Sequence, residues 1–238
     1  MVIGLIYVKP ICNELARSII IRNHYTHKWT ICELALGVFC EGVQQEFIAD
    51  DITLGTIVFG PTAGANVAKS ISPLLNHENL WELKRLWLED DLPKNSESRV
   101  IAQSIDYIKK HHSEIKCLVS YADPDAGHNG TIYQATNFIY QNIERPKNSS
   151  GYLFSFNEGK SWVHPRTMFN KYGTFSVEQL VEVMPKPFWV KELAVKHRYV
   201  YPIGNKKWKK QLVKSFNYNQ SEYPKAETEP EYIKKYDA

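Results

Sequence analysis

The chain has 238 residues, of which 43% are hydrophobic and 23% are charged, and its formal net charge at pH 7 is +3. These values are typical of a soluble globular protein, and so weak a net charge does not by itself indicate a nucleic-acid partner. No run approaches the ~18 apolar residues of a membrane span, which argues against a membrane protein. The four cysteines contain no Cys-x-x-Cys pair, so we expect reduced thiols and a cytoplasmic location.

The N-terminal third is predicted as a strand, a helix and two paired strands. The strands are Met1–Ile11, Cys32–Cys40 and Ile52–Gly60, and the helix is Cys12–Tyr25. The helix leads into a polar and aromatic cluster that includes His24 and Tyr25. This cluster is either a helix end with favourably placed cations or part of a site.

The next segment predicts a loop over Pro61–Pro73, a strand over Leu80–Glu89 and a helix over Ser98–His112. Arg85 lies among apolar neighbours in that strand, so it should meet a carboxylate, a phosphate or a carbonyl group. The helix begins after a polar loop, with Ser96 and Ser98 near its N-terminus. Such a helix start either carries an ordinary cap or binds an anion.

The densest group of polar residues lies between Ser120 and Asn137. A short apolar run, Ile115–Val119, predicts a buried strand just before it, and a helix can start at Asn129. Ser120, Asp123 and Tyr133 therefore gather near the carboxyl end of a strand, where open α/β sheets bind ligands. The alternative is a solvated strand–helix connection.

The C-terminal third predicts further strands and one helix. The strands are Phe138–Arg145, a hairpin of Tyr152–Phe156 with Lys160–Pro165, and Glu192–Pro202, and the helix is Ser176–Met184. A basic run, Lys206–Lys210, opens a tail over 205–238 whose last part is predicted to be disordered. Residues 1–204 are expected to form a single domain.

This order of strands and helices is similar to that of the GNAT acyltransferases. The resemblance implies an α/β fold with a mixed central sheet flanked by helices. In that fold the fourth strand and the next helix hold the pyrophosphate of an acyl-CoA. The usual Gln/Arg-x-x-Gly-x-Gly/Ala signature is absent, because the loop reads Pro-Lys-Asn-Ser-Glu-Ser.

Several motifs resemble the Mom family of phage DNA-modification proteins, from about residue 20 to about residue 202. The longest is the run from Gly127 to Asn137, Gly-His-Asn-Gly-Thr-Ile-Tyr-Gln-Ala-Thr-Asn. The others are His24-Tyr25, Glu82-Leu83-Lys84-Arg85-Leu86, Asn95-Ser96-Glu97-Ser98, Ser120-x-x-Asp123, His164-Pro165-Arg166-Thr167 and Lys196-His197-Arg198-Tyr199. The resemblance implies a GNAT-related enzyme that adds a carbamoylmethyl (glycinamide-like) group to N6 of adenine in phage DNA, which shields the DNA from host restriction.

The resemblance also implies which residues carry the chemistry. The expected catalytic residues are His24, Tyr25, Arg85, Asp123 and Tyr133, and the expected donor-binding residues are Ser96, Ser98 and Ser120. The expected donor is an acyl-CoA or an aminoacyl-tRNA. His24, Tyr25, Asp123 and Tyr133 offer one nitrogen and three oxygens, so iron is an alternative occupant of the same group.

Duplex DNA with the target adenine flipped out is the expected partner, because N6 lies hidden in the stacked duplex. The predicted DNA contacts are Arg166, Arg198, Lys206, Lys207, Lys209 and Lys210. Three other functions stay open at this point. They are an N-acyltransferase acting on a small amine or a protein, an enzyme that uses aminoacyl-tRNA as donor, and a non-catalytic DNA-binding module.

Overall fold

The computed structural model describes residues 5–41, 53–64, 66–144, 151–174, 176–225 and 233–237. The strands are β1 Ile6–Pro10, β2 Leu34–Cys40, β3 Gly55–Pro61, β4 Leu80–Leu88, β5 Cys117–Ala122, β6 Ile139–Gln141, β7 Tyr152–Ser155, β8 Phe188–Glu192, β9 His197–Pro202 and β10 Ile233–Tyr236. The helices are α1 Asn13–Asn23, α2 Val67–Ile71, α3 Ser96–His111, α4 Thr131–Gln134, α5 Pro165–Tyr172, α6 Val177–Val183 and α7 Lys206–Lys214.

The chain divides into two compact units. Unit 1 comprises Met1–Tyr121, Gly130–Asn142 and Arg198–Tyr223, and unit 2 comprises Ala122–Asn129, Ile143–His197 and Pro224–Ala238. The single catalytic domain predicted over 1–204 stays a prediction. The chain leaves unit 1 at the end of β5 and returns to it twice, so sequence position alone does not assign a residue to a unit.

Unit 1 contains a seven-stranded mixed sheet in the order β1-β2-β3-β4-β5-β9-β6. Strands β1 to β4 form an antiparallel meander, whereas β4 and β5 are parallel and are connected through α3. A parallel neighbour needs such a crossover, because a tight turn can only reverse the chain. The architecture confirms the predicted α/β fold with a mixed central sheet flanked by helices.

Helices cover the sheet of unit 1 through buried apolar side chains. Ala16 and Ile20 of α1 pack against Ala35 and Val58 of the meander. Helix α3 buries Val100, Ile101, Ile105 and Ile108 at helical spacing. A third cluster joins α2 and α7 to the strands through Ala68, Ile71, Leu80, Val119, Val200 and Leu212. Full burial of each large aliphatic side chain stabilises the fold by roughly 1.5–3 kcal/mol.

Unit 2 has its own small core. Its three-stranded antiparallel sheet has the order β10-β8-β7. Phe154 and Phe188 of the sheet pack with Met168 of α5 and Leu180 of α6. The four side chains are buried, which explains why the three segments of unit 2 form a compact unit.

The structure corrects several predicted elements. The predicted loop Pro61–Pro73 contains α2, and Glu192–Pro202 is divided between β8 and β9, which belong to different sheets. The predicted partner strand of β7 is reduced to one bridge, Phe154 with Val163. The tail contains α7 and β10. Residues 1–4, Ile52 and Arg145, which were predicted in strands, lie outside the described residues. No helix in the described ranges is both long and apolar enough to cross a membrane.

Candidate active site

The two parallel strands of unit 1 pair over only part of their length. Leu80–Glu82 of β4 pairs with Cys117–Val119 of β5, but β4 continues to Leu88. The next β5 residue, Ser120, donates a hydrogen bond from its hydroxyl to the Leu83 carbonyl at 3.0 Å. Beyond this contact β4 has no further paired residue on β5, so the sheet opens at the carboxyl ends of two adjacent strands. Ligands in α/β proteins bind at such ends.

A bulge in β4 accompanies this opening. Val58 of β3 lies opposite Arg85, whereas the next residue, Phe59, lies opposite Leu83. Lys84 is therefore an extra residue in β4, and such bulges redirect side chains near functional sites. Its ammonium group pairs with the Glu82 carboxylate at 3.3 Å, and these side chains are only 6% and 20% exposed. This pair was not among the residues predicted for the site. Two opposite charges in an otherwise apolar strand could have indicated it.

Tyr133 lies beside the opening. Its side chain is buried and its hydroxyl is hydrogen-bonded to Ser120. The same Ser120 hydroxyl also bonds to the Leu83 carbonyl. Burial raises the pKa of Tyr133 to about 12, the bond to Ser120 lowers it, and electrostatic interactions with Tyr25 and Glu82 raise it further. The phenol is therefore neutral near pH 7, and it can donate a proton but does not supply a phenolate.

Aromatic packing fixes the orientation of Tyr133. Its ring centroid lies 5.5 Å from that of Phe138 and 5.2 Å from that of Tyr199. Tyr199 is fully buried and its hydroxyl accepts a hydrogen bond from Gln134 Nε2 at 3.0 Å. Gly130 precedes α4 with φ +82°, and a Cβ at this position would lie 2.6 Å from Tyr199 Cζ. The glycine therefore allows α4, which carries Tyr133, to approach Tyr199.

His24 and Tyr25 follow α1 and stack on each other with ring centroids 4.4 Å apart. His24 is buried, and its Nδ1 accepts a hydrogen bond from the Thr26 backbone N–H at 3.1 Å. Tyr25 has 57% of its surface exposed. Tyr25 lies close enough to Tyr133 to raise the pKa of its phenol, so the structure brings these predicted residues into one cluster. An exposed ring backed by a buried imidazole offers a face on which a nucleobase can stack.

Arg85 contacts carbonyl groups, as the sequence predicted. Its Nε donates to the Lys28 carbonyl at 3.2 Å and its Nη1 donates to the Lys84 carbonyl at 2.6 Å. Arg85 thereby ties the segment after Tyr25 to β4. These contacts support a positioning role, in which the arginine holds the His24–Tyr25 segment beside the strand opening.

The predicted donor-binding serines use their hydroxyls within the protein. Ser96 Oγ donates to the Pro93 carbonyl at 2.6 Å and Ser98 Oγ donates to the Asn95 carbonyl at 2.9 Å. The buried Ser120 hydroxyl is engaged as described above. In the first turn of α3, the backbone N–H groups of Glu97 and Ser98 have no backbone acceptor among the described residues. These N–H groups, rather than the hydroxyls, are the donors that an anion could reach.

Asp123 lies in unit 2, at the start of a 3₁₀ turn over Pro124–Ala126. Its Oδ1 accepts from the Asp125 N–H at 3.2 Å, and its Oδ2 pairs with Lys196 Nζ at 2.9 Å. Asp125 in turn accepts from the Ala194 N–H at 3.0 Å. The two carboxylates therefore fix the 123–126 turn to the segment between β8 and β9.

The predicted DNA contacts are distributed over different environments. Arg198 is only 3% exposed, so it does not lie on a DNA-binding face as the sequence predicted. Its guanidinium donates to Ser70 Oγ at 3.0 Å and lies 4.9 Å from the Tyr218 ring centroid. Arg166 is exposed in unit 2. The predicted lysines Lys206, Lys207, Lys209 and Lys210 lie on α7 of unit 1.

The four residues proposed for iron are divided between the units, with Asp123 in unit 2 and His24, Tyr25 and Tyr133 in unit 1. In the described part of the chain, no three His, Cys, Asp or Glu side chains lie together where they could hold a metal ion. The described residues therefore give no support to the predicted iron centre.

A mixed sheet that opens between two parallel strands, next to a helix start and a buried tyrosine, places this chain in the GNAT-like class of α/β proteins. The sequence model of the Mom protein family matches residues 5–225. The chain therefore belongs to the Mom protein family.

A curated relative is the methylcarbamoylase Mom of Escherichia phage Mu. It is 33% identical over 134 residues, which are 56% of this chain and 52% of the relative. This chain thus spans about half the length of the relative that it matches.

The solved structures with similarity to this chain include two acetyltransferase-type proteins. A GNAT-family N-acetyltransferase from Escherichia coli, in complex with CoA, is 12% identical with a TM-score of 0.36, covering 58% of this chain and 69% of the other. NAA60 of Arabidopsis thaliana, in complex with acetyl-CoA, is 10% identical with a TM-score of 0.44, covering 84% and 100%. Likeness at these levels carries no inference about ligand or reaction.

Proposed function

We propose that this protein is a transferase that adds a carbamoylmethyl (glycinamide-like) group to N6 of adenine in DNA. In a bacterial host cell the modification would protect phage DNA from restriction. Membership of the Mom protein family supports this proposal, as does the similarity to a protein named methylcarbamoylase. The observation that carries it is the buried, neutral Tyr133, which is bonded to Ser120 where the pairing of β4 and β5 ends.

The chemistry requires help with protons, because the lone pair of adenine N6 is delocalised into the ring and makes the amine a poor nucleophile. N6 forms a bond to the activated carbon of the donor while the bond from that carbon to its leaving group breaks. Tyr133 gives its proton to the leaving group, since its raised pKa keeps the phenol protonated until then. The negative charge of Glu82 maintains this state. Asp123 is the proposed proton acceptor for the attacking amine.

Recognition of the base follows from the exposed ring of Tyr25. An adenine in a duplex must leave the stack before N6 can react, and an extruded base is held by stacking on aromatic side chains. Tyr25 offers such a ring, which His24 supports from behind and Arg85 holds through the Lys28 carbonyl. These three residues position the base, while Tyr133 acts on the reacting atoms.

The donor is an acyl-CoA or an aminoacyl-tRNA, and both carry phosphate groups. The N–H groups of Glu97 and Ser98 at the start of the sixteen-residue α3 are suited to a phosphate, because the helix dipole adds a partial positive charge there. When bound, a glycyl donor would supply the atoms of the transferred group: attack of N6 on its carbonyl carbon would release the thiol or the tRNA and give a glycyl amide. This amide is an isomer of the carbamoylmethyl group, so the final product requires a rearrangement of the transferred group. The serine hydroxyls keep the turn closed and leave these N–H groups accessible.

The test is mass spectrometry of nucleosides from plasmid DNA of bacteria that express the wild type or the Asp123→Ala variant. The proposal predicts a new deoxyadenosine species of carbamoylmethyl mass in the wild type and its loss in the variant. Sensitivity of the reaction to RNase in extracts would identify aminoacyl-tRNA as donor. Unmodified DNA from soluble, folded wild-type protein would refute the DNA-modifying function.

A further inference from the structure

Helix α7 concentrates positive charge on one surface of unit 1. Five of its nine residues are lysine, in a chain whose total net charge is only +3. Lys206, Lys207, Lys210 and Lys214 are exposed, whereas Lys209 is half-buried with its ammonium 5.3 Å from the Tyr201 ring centroid. In the described structure none of the five has a carboxylate within ion-pair distance.

The four exposed lysines share one side of the helix. Lys206, Lys210 and Lys214 follow each other at intervals of four residues, which is about 6 Å along the axis. Lys207 lies within the same third of the helix circumference, and Trp208 and Leu212 point to the opposite side. A phosphate backbone presents charges every ~3.4 Å per strand, so successive lysines match about every second phosphate.

This arrangement costs stability. Lys206 and Lys207 occupy the first turn, where the helix dipole disfavours cations, and α7 has no acidic residue there. Lys206–Lys210 and Lys210–Lys214 are like-charge pairs at i,i+4 spacing, which destabilise a helix. A bound polyanion removes these penalties.

The rest of the helix is anchored firmly. Leu212 is fully buried in the cluster with Leu80, Val119 and Val200, and Trp208 packs against the same cluster. Asn205 Oδ1 caps the N-terminus by accepting from the Trp208 N–H at 2.8 Å. At the other end, the Ser215 hydroxyl bonds to Ser72 at 2.6 Å. The lysines therefore project from a fixed element and not from a loose tail.

We propose that Lys206, Lys207, Lys210 and Lys214 form the docking surface for the phosphate backbone of duplex DNA. This inference rests on the proposed function for its choice of duplex DNA. Contacts to phosphate hold the duplex without reading its sequence. Such a surface would let a protein of weak net charge bind DNA. Compared with the DNA contacts predicted from the sequence, it includes Lys214 and omits Arg198 and Lys209.

The experiment measures binding of a fluorescent 20-base-pair duplex by anisotropy over a series of salt concentrations. The variant Lys206→Gln/Lys207→Gln/Lys210→Gln/Lys214→Gln keeps good helix formers, and circular dichroism checks that it folds. We expect affinity at moderate salt to fall by roughly 10²- to 10³-fold, and the slope of log K against log salt to decrease by up to ~3.6. The pair Lys206→Gln/Lys210→Gln should give about half of this change in slope.

The matched control is Lys109→Gln/Lys110→Gln, which removes two charges from the last turn of α3. It should leave both affinity and slope near the wild-type values. Equal losses in the two double variants, or wild-type affinity in the fourfold variant, would overturn the proposal. So would loss of binding to a transfer RNA with unchanged binding to the duplex. If the wild type binds DNA through α7 but yields no modified nucleoside, the proposed reaction fails while this surface stands.

Discussion

The stretch from Ser120 to Asn137 contributes to two different regions of the molecule. Ser120 and Tyr133 belong to unit 1, where buried hydroxyls and aromatic rings satisfy each other around the opening between β4 and β5. Asp123 and Asp125 belong to unit 2, where their carboxylates bind a lysine and backbone N–H groups near the surface. One motif therefore supplies a tightly packed phenol and a solvent-accessible carboxylate.

The two predicted catalytic groups are therefore controlled by different features of the structure. The protonation state of Tyr133 is set by burial, which raises its pKa to about 12. Asp123 is held instead by one ion pair and one turn hydrogen bond. Changes near Tyr133 should therefore have large effects on stability, whereas changes near Asp123 should have small ones.

The largest effect is expected for Gly130→Ala. The new Cβ would collide with the Tyr199 ring, and φ +82° is strained for alanine. Together these terms should lower the free energy of unfolding by roughly 2–4 kcal/mol, as measured by urea denaturation.

Gly127 of unit 2 provides the matched control. Its φ is +74°, but a Cβ there meets nothing within 4 Å. Gly127→Ala should therefore cost only about 1 kcal/mol, from backbone strain alone. Equal destabilisation by the two variants would contradict the packing that we assign to Gly130.

Alkaline pH should remove a second, somewhat smaller contribution. The pKa of Tyr133 is about 12 in the folded protein and about 10 in an unfolded chain. The protonated phenol therefore stabilises the fold fully below pH 10, and this contribution is lost as the pH rises towards 12. The stability difference between wild type and Tyr133→Phe should shrink by about 1.4 kcal/mol per pH unit above pH 10.

Urea denaturation of both proteins from pH 8 to pH 11.5 measures this difference. Tyr199, whose pKa burial also raises to about 12, titrates in both proteins, so the main part of its effect, which comes from burial, cancels in the comparison. A difference that does not change with pH would show that Tyr133 is solvated like an ordinary tyrosine.

The smallest effect is expected for the pair of Asp123 and Lys196. Because the Lys196 side chain is 58% exposed, breaking the ion pair should cost less than about 1 kcal/mol. Lys196→Met and Asp123→Asn should therefore unfold at similar urea concentrations. If the Asp123 carboxylate accepts a proton in the reaction, Asp123→Asn should abolish product formation and Lys196→Met should not. Equal activities of the two variants would show that Asp123 only stabilises its turn.

The sequence predicted much of unit 1, because regular apolar periodicity is a local property. The strand predicted over Leu80–Glu89 is β4, and the helix predicted over Ser98–His112 is α3 with a start two residues earlier. Helix α2 was missed because only Ala68 and Ile71 of its five residues are buried. The basic run was taken as a tail, although Trp208 and Leu212 lie four residues apart and can share one buried side.

The sequence predicted which residues belong to the site but not how they are arranged. Tyr133, Tyr25 and His24 do lie together, and Arg85 meets carbonyl groups as expected. Burial of Arg198 and the ion pair of Glu82 with Lys84 depend on partners that are distant in sequence. Periodicity also gives no sign that the chain changes units between Tyr121 and Ala122.

The most direct test of the account is the amount of modified deoxyadenosine formed by equal quantities of folded wild type and Tyr133→Phe. The control is Tyr223→Phe, which removes a half-exposed hydroxyl bonded to the Phe138 carbonyl. If Tyr133 donates the proton, its variant should form product roughly 10²- to 10⁴-fold more slowly, while the control should match the wild type. A Tyr133→Phe enzyme that is as active as the control would contradict the assignment of the buried phenol as the centre of the reaction.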